Sequence, residues 1–412
     1  MTAPRSVAVV GGGIIGSSTA FFLARLAKHK GIPVDITLVE GSAVAAGASG
    51  KAGGLLALDW HGPATASLAA LSYKLHADLA NEVDGATKYG YRQLDTLSVS
   101  ADFNAASGKA ARQKRLKGAD LFPWLNHDLV TSSDILGSKD TTAQVHPEQF
   151  TRHLVSEAQA LGVRLVYGTA TGLTRAASGT YTLTLDPLDE GSVPAPSAPN
   201  SNTPVAVRAS APCPPSLDNL DQVVVAAGPW TGKLLATLGL ASKAGRAADI
   251  EGSRAHSVVL RTAEGRDLPA QALFTSIKEK SGHAEPEIYN RPDGTAYACG
   301  PTDSSPLPSH ASSVTVDKAA IARLVAQTAQ LSPSHLSHEA GVTVEREQAC
   351  YLPVGSGDPV LGRIEGEGEK GVYVAAGHSC WGICNGPGTG QVMAELLLDG
   401  KASSADIRRL GP

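Results

Sequence analysis

Six residues near the N-terminus, Gly11-Gly12-Gly13-Ile14-Ile15-Gly16, set glycines at the three positions of a G-x-G-x-x-G turn. In such a turn the first glycine makes the tight bend and the second lets a pyrophosphate approach the backbone. The third lets the following helix pack closely on the preceding strand, with the helix N-terminus facing the phosphates. Glu40 then closes the next apolar run, Asp35-Ile36-Thr37-Leu38-Val39-Glu40. A carboxylate there accepts hydrogen bonds from the hydroxyls of an adenosine ribose. The flanks suit the motif: a short apolar strand over 7–10, a helix over 14–28 ended by Gly31-Ile32-Pro33, and a second strand over 35–40. A dinucleotide is expected on this unit.

Two further glycine-rich runs bear on the chemistry. Gly47-Ala48-Ser49-Gly50-Lys51-Ala52-Gly53-Gly54-Leu55 can carry extended backbone along the second half of a dinucleotide. It is not a phosphate-binding P-loop, because Ala45 and Ala52 stand where glycine and a hydroxyl residue are required. Near the C-terminus, Gly377-His378-Ser379-Cys380-Trp381 has the outline of a nucleophile elbow, but Trp381 occupies the last glycine position. A hydrolase is therefore not expected. Cys380 and Cys384 lack a second ligand pair, so no metal site is expected.

Composition bounds the remaining classes. The formal charge of −4 over 412 residues lacks the basic excess of a nucleic-acid binder. An apolar fraction of 42% excludes a disordered chain, and 44 glycines without a G-X-Y period suit a protein with many tight turns. Five cysteines without a CxxC pair fit a reducing compartment. The uncharged run over 6–24 is interrupted by Gly11, Gly12, Gly13 and Gly16, and no separate basic leader precedes it. The final residues, Arg408-Arg409-Leu410-Gly411-Pro412, form no targeting tripeptide. A cytoplasmic protein without an integral membrane segment is expected.

The elements that must position these motifs are spread along the chain. Helices are expected around 67–81, from His146-Pro147 to about 161, and over 317–331. Strands are expected at 163–167, 181–185, 222–228, 257–260, 287–290 and 296–300, and the 371–400 tail reads as strand, glycine turn and helix. Eight prolines in 187–215 mark a surface insertion.

In these residues the chain resembles the D-amino-acid oxidase/sarcosine oxidase (glycine oxidase-like) superfamily of FAD-dependent oxidoreductases. The runs at 47–55 and 377–390 are most similar to the fungal topoisomerase-damage-affected oxidoreductase group within it. The resemblance implies an α/β FAD-binding Rossmann-like (glutathione-reductase-like) domain and an α+β substrate domain whose antiparallel sheet roofs the flavin. The cofactor domain would comprise 1–63, 141–245 and 341–412, and the roof 64–140 and 246–340. Carried over position by position, FAD would contact Gly11, Gly13, Ile14, Ile15, Gly16, Glu40 and Gly41. It would run past Ser49, Gly50, Lys51, Ala52, Gly53, Gly54 and Leu55. Ala170, Ala227, Gly228 and Trp230 would close on it, with Cys350, Gly382, Ile383, Cys384, Asn385 and Gly386 at the flavin end.

The family's reaction is hydride transfer from a C–H beside an amine nitrogen to flavin N5, so the implied substrate is an amine or amino acid, with O2 as acceptor. The lysine with which the sarcosine-oxidase branch activates oxygen is missing from 296–303, and Lys51 is the nearest substitute cation. That leaves open a flavin dehydrogenase or tailoring enzyme with another acceptor, and a flavoprotein whose role is mainly interaction, in trafficking. Lys51, Trp381 and His378 are the candidate catalytic residues, and Tyr289, Arg291, Tyr297 and Arg254 the candidate substrate contacts. His256 is a weaker one. Cys350 stands where some relatives bond flavin covalently; non-covalent FAD is the expectation.

Overall fold

The computed structural model describes residues 4–104, 122–188 and 207–412. Most of the 187–215 insertion lies outside them. Two eight-stranded sheets and one small sheet organise the chain. In the first sheet five parallel strands run in the order Arg164–Arg175, Val34–Glu40, Arg5–Val10, Gln222–Val225 and Lys370–Ala376. Antiparallel strands extend it, Tyr181–Pro187 and Ser216–Leu220 at one edge and Val360–Glu367 at the other. Both faces are covered, which is why Val7-Ala8-Val9-Val10 is apolar without alternation. Val7 and Val9 enter the core shared with the helices Ile14–Lys30 and Gly382–Asp399, while Ala8 and Val10 enter the core on the opposite face.

The second sheet is the roof. Its main path runs Thr343–Val354, Glu251–Arg261, Thr295–Asp303, Glu287–Asn290, Gln271–Glu279, Asp95–Asp102, Val130–Gly137. It alternates cleanly. Leu260, Ile288, Ala296 and Ala298 pack under the helix Lys318–Leu331, while Val259, Tyr289 and Tyr297 point to the other face. The sheet is mixed rather than purely antiparallel, because Gln271–Glu279 pairs in parallel with Asp95–Asp102. Those two strands come from separate excursions of the chain, so no hairpin dictates their direction.

Two parts of the chain lie in layers other than those expected. Thr343–Val354 hydrogen-bonds along Glu251–Arg261 in the roof, so the return to the first sheet comes at Val360 rather than at 341. The helix Ala66–Val83, expected with the roof, packs instead on Gly382–Asp399. Small residues allow it: a Cβ on Gly388 would stand 2.8 Å from Ser72 Cβ.

That packing repairs a defect. Pro387 lies inside Gly382–Asp399 and offers no N–H to the carbonyl of Ile383. His76 Nε2 donates to that carbonyl at 3.0 Å instead. The Ser72 hydroxyl donates to Cys384 O at 2.6 Å and accepts the N–H of Gly388 at 2.9 Å. Burial pushes His76 down to about 4, so the ring is neutral. Ser72→Ala strands two buried backbone groups and is expected to lower stability by about 2 kcal/mol or more, read by urea denaturation. A loss well below that would mean that the kink satisfies itself.

Candidate functional site

The carboxyl ends of the parallel strands open into a cleft of about 390 Å³, walled by Val10, Glu40, Ala170, Ala226 and Ala376 among others. Crevices at this end of an open α/β sheet are where such folds bind ligands. The glycine turn forms its first wall. Gly11 has φ +118°, and a Cβ there would lie 2.3 Å from Ala226 O. A Cβ on Gly16 would lie 1.9 Å from Gly11 O, the close helix–strand approach that the motif demands. Gly13 precedes the helix Ile14–Lys30 with no capping side chain of its own. Ser49 Oγ accepts the N–H of Ile14 at 2.9 Å, tying the second glycine-rich run to the helix N-terminus.

Glu40 Oε2 accepts the N–H of Gly12 at 2.6 Å. Burial raises its carboxyl to about 7, against the opposing pull of N–H groups from Gly12 and Ser42. Beside it, the hydroxyls of Ser42 and Thr169 are buried without a partner, and both residues line the cleft. Buried polar atoms left unpaired in a cleft point to a polar ligand that completes them.

The residues fit FAD. Gly11, Gly13, Ile14, Ile15, Glu40, Gly41, Ser49 and Ala52 are on the wall, as are Ala170, Ala227, Gly228, Trp230, Gly382 and Ile383. The helix N-terminus at Gly13 would take the pyrophosphate and Glu40 the ribose. Gly382–Asp399 brings its own N-terminus, Gly382 and Ile383, to the wall, where it would favour negative charge on a reduced flavin.

For the ribose contact the pH dependence follows. Hydroxyl donors favour the ionised carboxylate, so binding lowers the Glu40 pKa and the complex holds fewer protons than the free protein. FAD affinity should rise from about pH 6 to about pH 8, read by the fluorescence of released flavin. Glu40→Gln should flatten that rise and weaken binding about tenfold or more, the worth of a charge-assisted hydrogen bond.

Other expected residues lie off this wall. Gly50 and Gly54 are packing glycines, whose Cβ atoms would fall 2.1 Å from Ala45 O and 2.0 Å from Val145 O. Gly16, Gly53, Leu55 and Gly386 likewise do not line the cleft. Lys51 donates to Ala349 O at 3.0 Å and is not on the wall; burial lowers its pKa. Cys350 is buried off the wall too, and burial holds its thiol up at about 11.

The roof residues are braces. Tyr289 and Tyr297 stack with ring centroids 5.8 Å apart, and a Cβ on Gly53 would sit 2.0 Å from the Tyr289 ring. Arg291 is buried over the Tyr297 ring at 5.1 Å and donates to Ala52 O at 3.2 Å. Arg254 is committed to Asp303 at 2.9 Å, and the Nε2 of His256 accepts the N–H of Asp317 at 3.0 Å. Arg254 is thus occupied by Asp303, whereas Arg291 keeps its buried Nε unpartnered and does not line the cleft.

A second cavity of about 300 Å³ shares residues 377–380 with the first. Trp381 and Asn385 line this one, and His378 lines both; Cys384, beneath it, contacts His61 Nε2 at 3.8 Å. Sequence reading missed Trp60 and His61 here, and Ser42, Thr169, Lys233, His310, Leu352 and Pro353 on the cofactor wall. Only Lys233 carried a recognisable signal, lying one turn beyond Trp230 on the helix Thr231–Thr237. Among the described residues there is no cluster fit to hold a metal, and no helix is long and apolar enough to cross a membrane.

Comparison with known proteins agrees with this geometry. The family model for FAD-dependent oxidoreductases of the DAO type matches residues 6–396. The chain is 38% identical to oxidoreductase C1F5.03c of Schizosaccharomyces pombe, over 100% of this chain and 99% of that protein. It is 29% identical to oxidoreductase TDA3 of Saccharomyces cerevisiae, over 99% and 94%. Among solved structures, glycine oxidase from Geobacillus kaustophilus superposes with a TM-score of 0.72 at 20% identity, covering 100% of this chain and 98% of that one. L-proline dehydrogenase from P. horikoshii gives a TM-score of 0.70 at 18% identity, with coverage of 100% and 98%. The cleft thus lies in a chain that belongs to the DAO family of FAD-dependent oxidoreductases.

Proposed function

We propose that the protein oxidises the C–N bond of an amine or amino acid, with dioxygen as electron acceptor. The observation that carries this reading is the chemistry of the wall at 376–383. His378 and Cys380 are the titratable groups there. Burial drives the imidazole down to about 3, so it is neutral and a weak base. The Cys380 thiol, although its residue is exposed, is held up by desolvation of the sulfur and by the nearby Glu287 carboxylate. Alcohol oxidation needs a base to take the hydroxyl proton, whereas an amine that binds neutral needs none. Bound FAD would supply the hydride acceptor, flavin N5. The chain's own part is to hold the donor carbon, keep water out with the Trp60 and Trp381 rings, and leave the imine product to hydrolyse outside.

A non-oxygen acceptor is the second reading, favoured by the position of Lys51. Its ammonium is turned to Ala349 O, and the lysine that does line the cleft, Lys233, is held by Leu307 O at 3.0 Å. No lysine of the described wall therefore stands ready at its 376–383 end to stabilise superoxide.

Anaerobic mixing of the flavin-loaded protein with a panel of amines and amino acids tests both readings. Bleaching of the visible flavin bands by a member of the panel supports C–N oxidation. Bleaching by 2-hydroxy acids or glycerol phosphate alone overturns it. On admitting air, fast return of colour with peroxide marks an oxidase; slow return that an added quinone accelerates marks a dehydrogenase.

A further inference from the structure

The second cavity is polar at its base and aromatic on its wall. Asn385 is 1% exposed, and neither its Oδ1 nor its Nδ2 has a partner. His378, 2% exposed, pairs through Nε2 with Thr389 Oγ1 at 3.0 Å and leaves Nδ1 unpartnered. An amide and an imidazole nitrogen buried without partners incur a desolvation cost that a fitting ligand removes. The rings of Trp60, His61 and Trp381 wall the space, with His61 and Trp381 at 4.3 Å and Trp60 and Trp381 at 6.5 Å between centroids.

Charge decides what fits. The lining contains neither lysine nor arginine; burial lowers both imidazoles, and Asp358 at the rim is its carboxylate. A carboxylate and the lone pairs of Asn385 and His378 accept N–H groups, and the ring faces pack the carbon skeleton, so the space suits a neutral amine. A carboxylate would meet Asp358 with no counter-ion in the lining: Arg254 is bonded to Asp303, and Arg291, whose Nε is unpartnered, does not line this cavity. Asn385 Nδ2 still offers a donor to a hydroxyl or carbonyl on the same ligand.

We propose that this cavity, which adjoins the cofactor cleft and shares residues 377–380 with it, is the recognition pocket for the substrate, and that it takes an organic amine lacking an α-carboxylate. The inference rests on the C–N reading above and narrows it from amines and amino acids to amines.

The test is calorimetric titration of the flavin-loaded protein, under nitrogen, with phenethylamine, phenylalanine and phenylpropionate. These share a phenyl group and differ in whether they carry the amine, both groups or the carboxylate. Phenethylamine should bind about tenfold or more tightly than phenylalanine, and phenylpropionate should give no saturable heat. Asp358→Asn should weaken phenethylamine about fivefold with flavin content and visible spectrum unchanged, and Asn385→Leu should weaken it about tenfold. Asp358 is exposed, so its variant reports even if the Asn385 variant fails to fold. Equal or tighter binding of phenylalanine, indifference of phenethylamine to Asp358→Asn, or no binding at all (a cavity that holds only water) would each overturn the pocket. Flavin bleached by phenylalanine and not by phenethylamine would leave C–N oxidation standing and refute this inference alone. Failure of amines and amino acids alike to bleach it would refute the C–N reading itself.

Discussion

Gly16→Ala is expected to yield a protein that purifies without FAD. The new methyl would stand 1.9 Å from Gly11 O and 3.4 Å from Ala226 Cβ. Neither obstacle is the far end of a flexible side chain: one is the backbone of the turn and the other belongs to the adjacent strand end. The helix Ile14–Lys30 must therefore move off the sheet, carrying with it the N–H groups that face the cleft and the Ser49 bond at Ile14. Overpacking of a close-packed core costs about 1–3 kcal/mol, and more where backbone must shift. Flavin content below about one-tenth of wild type and a lowered unfolding midpoint are the expected results. Full flavin occupancy in this variant would mean that the turn is not the cofactor's seat.

Gly53→Ala should be nearly as damaging, and through a different contact. Its Cβ would fall 2.0 Å from Tyr289 Cε2 and 3.1 Å from Tyr297 Cε1, where the roof rests on the second glycine-rich run. Here the obstacle is a side chain, buried and stacked, so the strain has a remedy. Tyr289→Ala removes the ring that the new methyl meets. Each single variant should lose about 2 kcal/mol or more, from overpacking in one and a vacated ring in the other. The double variant should lose less than their sum by about 1 kcal/mol or more, the signature of two residues in contact. Strict additivity in urea denaturation would place the roof elsewhere than on Gly53.

The parts of this site readable in advance were local. Gly11, Gly13, Gly16 and Glu40 announce their roles because turn, helix and strand are contiguous and each glycine answers a steric demand made by its neighbours. The same holds for the helix Lys318–Leu331, capped by the Asp317 carboxylate, and for the strand Glu287–Asn290. What could not be read depends on partners far away in the chain. Arg291 and Arg254 are free-looking cations in the sequence, and their commitment to Ala52 O and Asp303 exists only in the folded register. Lys51 sits in a run expected to pass the flavin, yet one helical turn, Ala48–Lys51, aims its ammonium at a strand some three hundred residues later.

The second cavity was illegible for the same reason. Trp60 and Trp381 meet across two loops, and nothing in either local sequence calls for the other. The unpartnered hydroxyls of Ser42 and Thr169 follow no pattern, since a serine or threonine is a candidate only once its surroundings leave it unsatisfied. The parallel pairing of Asp95–Asp102 with Gln271–Glu279 is a further non-local choice, invisible to periodicity. In contrast, the placement of Ala66–Val83 on the final helix was readable in principle. Pro387 in a helix flanked by Gly386, Gly388 and Gly390 implies a neighbour that approaches closely and supplies the lost hydrogen bonds.

The most direct measurement is the visible spectrum of the purified protein before and after acid precipitation. The cleft wall contains the dinucleotide turn, Glu40 and the N-terminus of Gly382–Asp399, while Cys350 is buried away from it. The account predicts flavin bands in the native protein, one FAD per chain, and all colour in the supernatant after acid. Colour retained in the pellet, or a colourless protein that takes up no FAD on reconstitution, would contradict it.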